Sequence, residues 1–184
     1  MTETSDEDLV ARAVATSDQG VYGVLVRRHQ SRIRNWLRQL TNDPALADDL
    51  AQDTFIRAWN KLYSFSGQGK FSSWLMKVAY NEFLQAIRSQ KRDKRLANAY
   101  SADPIVMDIQ HNSQQYGGVT DLPKMLAILS DEERVAMVLN YAHGMSHREV
   151  SEITAMPIGT VKSHIQRGKD KIRQRFRLED SDSD

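Results

Sequence analysis

From Lys162 to Arg177 the sequence sets Lys162, Arg167, Lys169, Lys171, Arg173, Arg175 and Arg177 against a single acid, Asp170. On one helix that density of cations makes a phosphate-facing field. Just upstream, Ser146 and Glu149 have capping-box spacing ahead of Val150 and Ile153, and Ala155-Met156-Pro157 makes a short turn. A short capped helix, a three-residue turn and a basic second helix form a helix-turn-helix. Such a second helix enters the major groove, where Lys, Ser, His, Gln and Arg reach base edges or phosphates. The plainer alternative is a solvated basic helix with no ligand.

A second set interleaves rings with cations: Tyr63, Phe65, Phe71, Trp74, Tyr80 and Phe83 among Lys70, Lys77, Arg88, Lys91, Arg92, Lys94 and Arg95. Unpaired bases expose π-faces and a charged backbone, so this pairing of residue types suits single-stranded DNA. Phe71, Trp74, Leu75 and Phe83 are equally what a small helical core requires, and both readings stand. The glycine-broken loop before them either shapes a pocket for one unstacked base or merely joins two helices. A third set is acidic: Asp43, Asp48, Asp49 and Asp53, with Gln52 and Arg57. These carboxylates could bind a metal, act as acid and base, meet a basic protein surface, or simply complement a helix dipole. A metal site is disfavoured, because no histidine lies near and Asp48 and Asp49 diverge on a helix. His143 and His147 are four apart, but Gly144 and the Ser146 cap interrupt the helix that would align them. No phosphate loop, Ser-His-Asp pattern or Gly-x-Ser-x-Gly is present, so no enzyme is supported.

The elements that must position these groups are helical. Ser5 and Asp8 cap a short amphipathic helix. A second runs over about 19–40, with Val21, Tyr22, Leu25, Ile33, Trp36, Leu37 and Leu40 on one side and Arg27, Arg28, Arg32, Arg34 and Arg38 on the other. Asp43-Pro44 starts a third, with a stripe of Ala47, Leu50, Ala51, Thr54, Phe55, Ala58, Trp59 and Leu62. Gly67 and Gly69 break the pattern before a fourth helix from Phe71. Periodicity fades between about Asp93 and Thr120, and a polar stretch with Asp103-Pro104 and Gly117-Gly118 reads as a linker. Helical signals resume at Asp121, with a capping box at Ser130 and Glu133. No strand-like alternation competes in the first half. The expected fold is all-α, two small helical domains joined by a flexible linker.

The 184 residues suffice for two such domains, and 40% hydrophobic content for a small core in each. Net charge is only +1, but both ends are acidic, so the interior is more basic than the total. Absence of cysteine excludes disulfides and thiolate chemistry. No apolar run approaches the roughly 20 residues that span a bilayer, and the polar start is not expected to be a signal peptide. The expectation is a soluble cytoplasmic protein.

In order and spacing, DDLAQDTFIRAW (48–59), FSSWLMKVAYN (71–81), SHREVSEI (146–153) and GTVKSHIQRGKDKIR (159–173) resemble bacterial sigma factors of the extracytoplasmic-function (ECF) group of the sigma-70 family. The resemblance implies a region 2 domain over 1–95, a linker over 96–120 that passes near the RNA exit path of polymerase, a region 4 helix-turn-helix domain over 121–178 and an acidic tail over 179–184. It implies that Asp48, Asp49, Gln52, Asp53, Phe55 and Arg57 face core RNA polymerase, on the clamp helices of β′, with β a further contact. Phe55 could be core instead. It implies that Ser64, Phe65, Lys70, Lys77, Asn81 and Arg88 serve the minus-ten element and its flipped base. At the minus-thirty-five element it implies Thr160, Lys162, Ser163, His164, Gln166, Arg167 and Lys171. The partners implied are core polymerase, promoter DNA and an anti-sigma factor, with no cofactor, no metal, no membrane insertion and a monomeric free state. Ser151 and Ala155 stand where the family commonly has alanine and glycine, which changes little; His164 stands where an arginine is frequent, so promoter sequence does not carry over. Two rivals remain: a stand-alone helix-turn-helix regulator, which leaves the first domain unexplained, and a small metal-dependent hydrolase using the aspartates.

Overall fold

The computed structural model describes residues 4–100 and 122–176, and among them every regular element is a helix. The chain divides into two compact units, one holding the first four helices and one the last four. The expected linker falls almost wholly, and the acidic tail entirely, outside the described residues.

In the first unit α1 spans Asp6–Thr16, α2 Gln19–Thr41, α3 Pro44–Asn60 and α4 Phe71–Tyr100. The caps are those the residue types dictate. Ser5 Oγ accepts from Asp8 N, Asp18 Oδ1 from Gly20 N, and Asp43 Oδ1 from Ala45 N and Leu46 N, with Pro44 in the first turn of α3. Leu25, Ile33, Trp36, Leu37, Ala47, Ala58, Phe71, Leu75, Met76 and Phe83 are sealed from solvent. Tyr22 ties α2 to α3: its hydroxyl donates to Phe55 O at 2.8 Å, its ring lies 5.0 Å from that of Trp59, and burial pushes its phenol pKa up. Asp6 ties α1 to α2, with Arg28 at 2.9 Å and His29 Nε2 at 2.6 Å. Helix α4 runs to Tyr100, past Asp93 where periodicity fades. The segment Arg95-Leu96-Ala97 is built of good helix formers, and backbone propensity continues where the amphipathic pattern stops.

In the second unit α5 spans Leu122–Ala127, α6 Asp131–Met137, α7 His147–Thr154 and α8 Ile158–Phe176. Both capping boxes form, at Ser130 with Glu133 and at Ser146 with Glu149. Helix α6 does not run straight to Gly144 as its pattern suggests. It widens into a π-turn over Val138–Ala142, which Asn140 Nδ2 closes by donating to Met145 O at 2.6 Å. Helices α6 and α8 cross closely at Gly168, where a Cβ would sit 2.9 Å from Met137 Cγ. Val135, Leu139, Val150, Ile153, Val161 and Ile165 fill this core. The turn from α7 to α8 places Ala155 at φ 59°, so a residue with a Cβ occupies the left-handed region there.

Candidate polymerase and nucleic-acid surfaces

Helix α3 buries Ala47, Leu50, Ala51, Thr54 and Ala58, which leaves an outer face and two flanks. Asp49, Gln52 and Asp53 are exposed. Gln52 and Phe55, with Ile56, line a groove of about 270 Å³ shared with Val26, Gln30 and Arg34 of α2. Ile56 is an apolar side chain 61% exposed at the rim of that groove. Phe55 is half-buried there, so its ring is neither wholly core nor free. Asp48 is turned toward α2 and held by Arg38 at 3.1 Å, with Arg34 at 3.8 Å. The opposite flank belongs to α4. Arg57 donates Nε to Glu82 Oε1 at 3.0 Å, and it lines a separate recess with Lys61, Asn81, Gln85 and Arg88. The six α3 residues expected to act together are therefore divided among three environments.

The loop before α4 needs its glycines for backbone reasons. Gly67 and Gly69 have φ of 73° and 86°, with open space where a Cβ would stand. Ser64 is exposed and donates to Lys61 O at 2.7 Å. Phe65 is half-buried, its ring 5.7 Å from Phe71 and 5.8 Å from Trp74. His29 meets the same cluster, 5.4 Å from Phe71. The rings are thus mostly packing, with Phe71 and Phe83 fully buried. Tyr63 differs: it is 77% exposed beside the loop. Lys77, Asn81 and Arg88 follow at four and seven residues and are all exposed, so they share one stripe of α4.

On α8 the buried line is Val161, Ile165 and Gly168. Lys162, Ser163, Gln166 and Arg167 are exposed, and Gln166 Nε2 donates to Asp170 at 3.0 Å. Thr160 and His164 are half-buried on the flank, and Arg167 Nη2 lies 3.1 Å from His164 Nδ1. Lys171 continues this flank and is engaged. Its Nζ donates at 2.7 Å to Glu133, a carboxylate 5% exposed. Burial alone would raise the Glu133 pKa, but the bonds from Lys171 and from Ser130 N, with the charges of Lys171 and Arg167, hold it below the ordinary carboxylate value.

Reading the sequence alone missed Lys61, Gln85 and the α2 side of the groove. Their signals were present as spacing: Lys61 is four beyond Arg57, and Gln85 four beyond Asn81. Among the described residues no three His, Asp or Glu side chains gather into a metal site, and no helix is long and apolar enough to cross a membrane.

The family model of sigma-70 region 2 matches residues 25–93, and that of sigma-70 region 4 matches 120–172. The ECF RNA polymerase sigma factor SigE of Mycolicibacterium smegmatis is 32% identical over 181 residues, covering 93% of this chain and 69% of that protein. The ECF RNA polymerase sigma factor SigW of Bacillus subtilis is 29% identical over 178 residues, 90% of this chain and 94% of its own. Among solved structures, the sigma factor RpoE in complex with the anti-sigma factor NepR from Bartonella quintana aligns with a TM-score of 0.70 and 26% identity, covering 86% of this chain and 98% of that one.

Proposed function

This chain belongs to the ECF group of RNA polymerase sigma factors, which are transcription initiation factors and not enzymes, and from that premise we propose that it directs core polymerase to a particular set of promoters. The observation that carries the proposal is one outward polar helix face in each unit: Lys77, Asn81 and Arg88 on α4, and Lys162, Ser163, Gln166 and Arg167 on α8. One protein with two such faces can hold two promoter elements at once, which a lone helix-turn-helix regulator has no use for.

The division of labour follows from chemistry. Helix α8 reads duplex in the major groove at the minus-thirty-five element, with Thr160 and His164 bordering the contact. The loop with Ser64, Phe65 and Lys70, together with α4, holds the melted minus-ten strand. Unstacking a base costs a few kcal/mol, and stacking worth about 1–3 kcal/mol per base offsets part of it. Asp49, Gln52, Asp53 and Phe55, flanked by Asp48, form the docking face for the β′ clamp helices, and β is a further contact. In domain terms, 1–95 is the polymerase and minus-ten domain, 96–120 the linker, 121–178 the minus-thirty-five domain and 179–184 the tail. A relative is known bound to an anti-sigma factor, and a protein of that class restrains this chain as a cytoplasmic monomer.

The test is run-off transcription by core polymerase on a promoter library, with and without the protein. Specific transcripts that require it are expected. A stable dimer that binds a palindrome without polymerase, and yields no such transcripts, would establish the regulator instead.

A further inference from the structure

The recess between α3 and α4 has a composition its place in the fold does not require. About 250 Å³ of space is bordered by Arg57 of α3, by Lys61 just past the end of that helix, and by Asn81, Gln85 and Arg88 from α4, with Glu82 at its wall. Three cations and a single carboxylate line it. That carboxylate, 9% exposed, is engaged by the inner nitrogen of Arg57 at 3.0 Å. The two terminal amino groups of the guanidinium, on a side chain 46% exposed, stay available to a ligand. Arginine held by its Nε presents those two groups as a fixed fork, the geometry that grips two oxygens of a tetrahedral anion. Lys61 and Arg88 are exposed at the rim, and Asn81 and Gln85 add amide donors.

We propose that this recess seats a backbone phosphate of promoter DNA, that Arg57 and Lys61 are DNA contacts and not polymerase contacts, and that Glu82 is the positioning residue that aims Arg57. The inference rests on the reading of α4 as a promoter face. Nucleic acid is favoured over an acidic polymerase side chain because the recess is continuous with Asn81 and Arg88, and lies across α3 from the Gln52–Phe55 groove. A phosphate contact fixes register and carries no sequence information. Its signature is therefore a uniform effect with a salt dependence.

The experiment uses holoenzyme assembled from core polymerase and the full chain, with fluorescent fork-junction DNA that is single-stranded across the minus-ten element. Equilibrium binding is followed against KCl for the wild type, Lys61→Gln and Arg57→Gln. Core affinity is measured separately. Arg57→Gln strips Glu82 of its partner and risks the fold, so Lys61→Gln, an exposed change, carries the decision. Lys61→Gln should bind DNA several-fold more weakly at low salt, lower the log–log salt slope by about 0.7–0.9, and do so equally on probes of altered minus-ten sequence. Its core affinity should be unchanged. A scan of single methylphosphonates should find one position that weakens the wild type and adds nothing to the Lys61→Gln defect. Lost core affinity, with normal DNA binding once holoenzyme forms, overturns the seat in favour of a polymerase contact. Unchanged binding in both assays overturns it outright. Failure of wild-type holoenzyme to bind the probe overturns the promoter reading itself, and the seat with it.

Discussion

Lys171 lies on α8, the basic helix proposed to read DNA, yet its ammonium is committed to Glu133 at 2.7 Å. Replacing it by methionine keeps most of the stem and removes only the charge. Glu133 then loses its strongest hydrogen bond and a neighbouring charge, and keeps Ser130 N–H at 3.0 Å and the more distant field of Arg167. Breaking a fully buried pair from one side costs about 3–5 kcal/mol. Here the lysine is 45% exposed and the cap survives, so solvent screening reduces the expected cost to about 2 kcal/mol. That is roughly a thirtyfold rise in the opening constant of the second unit. Hydrogen exchange of amides in α6 and α8 reads it directly. Fluorescence supplies the control, since Trp36, Trp59 and Trp74 all lie in the first unit and should not respond. The double variant Glu133→Gln, Lys171→Met should recover part of the loss, because an uncharged glutamine no longer needs the ammonium. Exchange unchanged within about threefold, a margin below 1 kcal/mol, together with a salt slope for promoter binding lowered by about 1, would refute this and make Lys171 a phosphate contact.

Ala155→Gly should raise the stability of the second unit by about 0.5–1 kcal/mol, because the left-handed φ of 59° costs alanine more than glycine loses in chain entropy; thermal unfolding by circular dichroism checks it. Charge reversal at both Asp49 and Asp53, which are exposed, should abolish core-polymerase binding while stability moves by less than about 0.5 kcal/mol; a normal pull-down would remove α3 from the docking face. Asp6 and Glu133 are both depressed, burial being outweighed by their cationic partners, so each stabilises the fold above its unfolded value of 3.8 or 4.5 and loses that contribution as pH falls through its lower folded value. An acid titration by hydrogen exchange should therefore show protection in α6 and around α1 declining below about pH 4.5, not between pH 6 and 8.

What the sequence made legible was whatever is encoded within one or two helical turns. Caps at Ser5, Asp43, Ser130 and Ser146 follow from side-chain oxygens three residues from an orphan amide, and all four form. The buried stripes follow from period alone. The π-turn at Val138–Ala142 does not, because it depends on Asn140 reaching the carbonyl of Met145 beyond the end of the helix. Ion pairs across helices are equally silent: nothing within α8 marks Lys171 as the one cation assigned to Glu133, 38 positions away.

The same limit decides how α3 is understood. A motif written as a string makes Asp48, Asp49, Gln52, Asp53, Phe55 and Arg57 look like one surface. A helix turns about 100° per residue, so Arg57 stands some 160° around the axis from Phe55. The neighbours then determine what each flank can do. Helix α2 converts the Phe55 side into a mainly apolar groove, and α4 converts the Arg57 side into a cationic recess with a carboxylate at its wall. Apolar grooves take protein side chains, whereas convergent cations take phosphate. One helix can thus present polymerase and promoter with different faces, and Glu82 fixes the boundary between them by holding Arg57 to the α4 side.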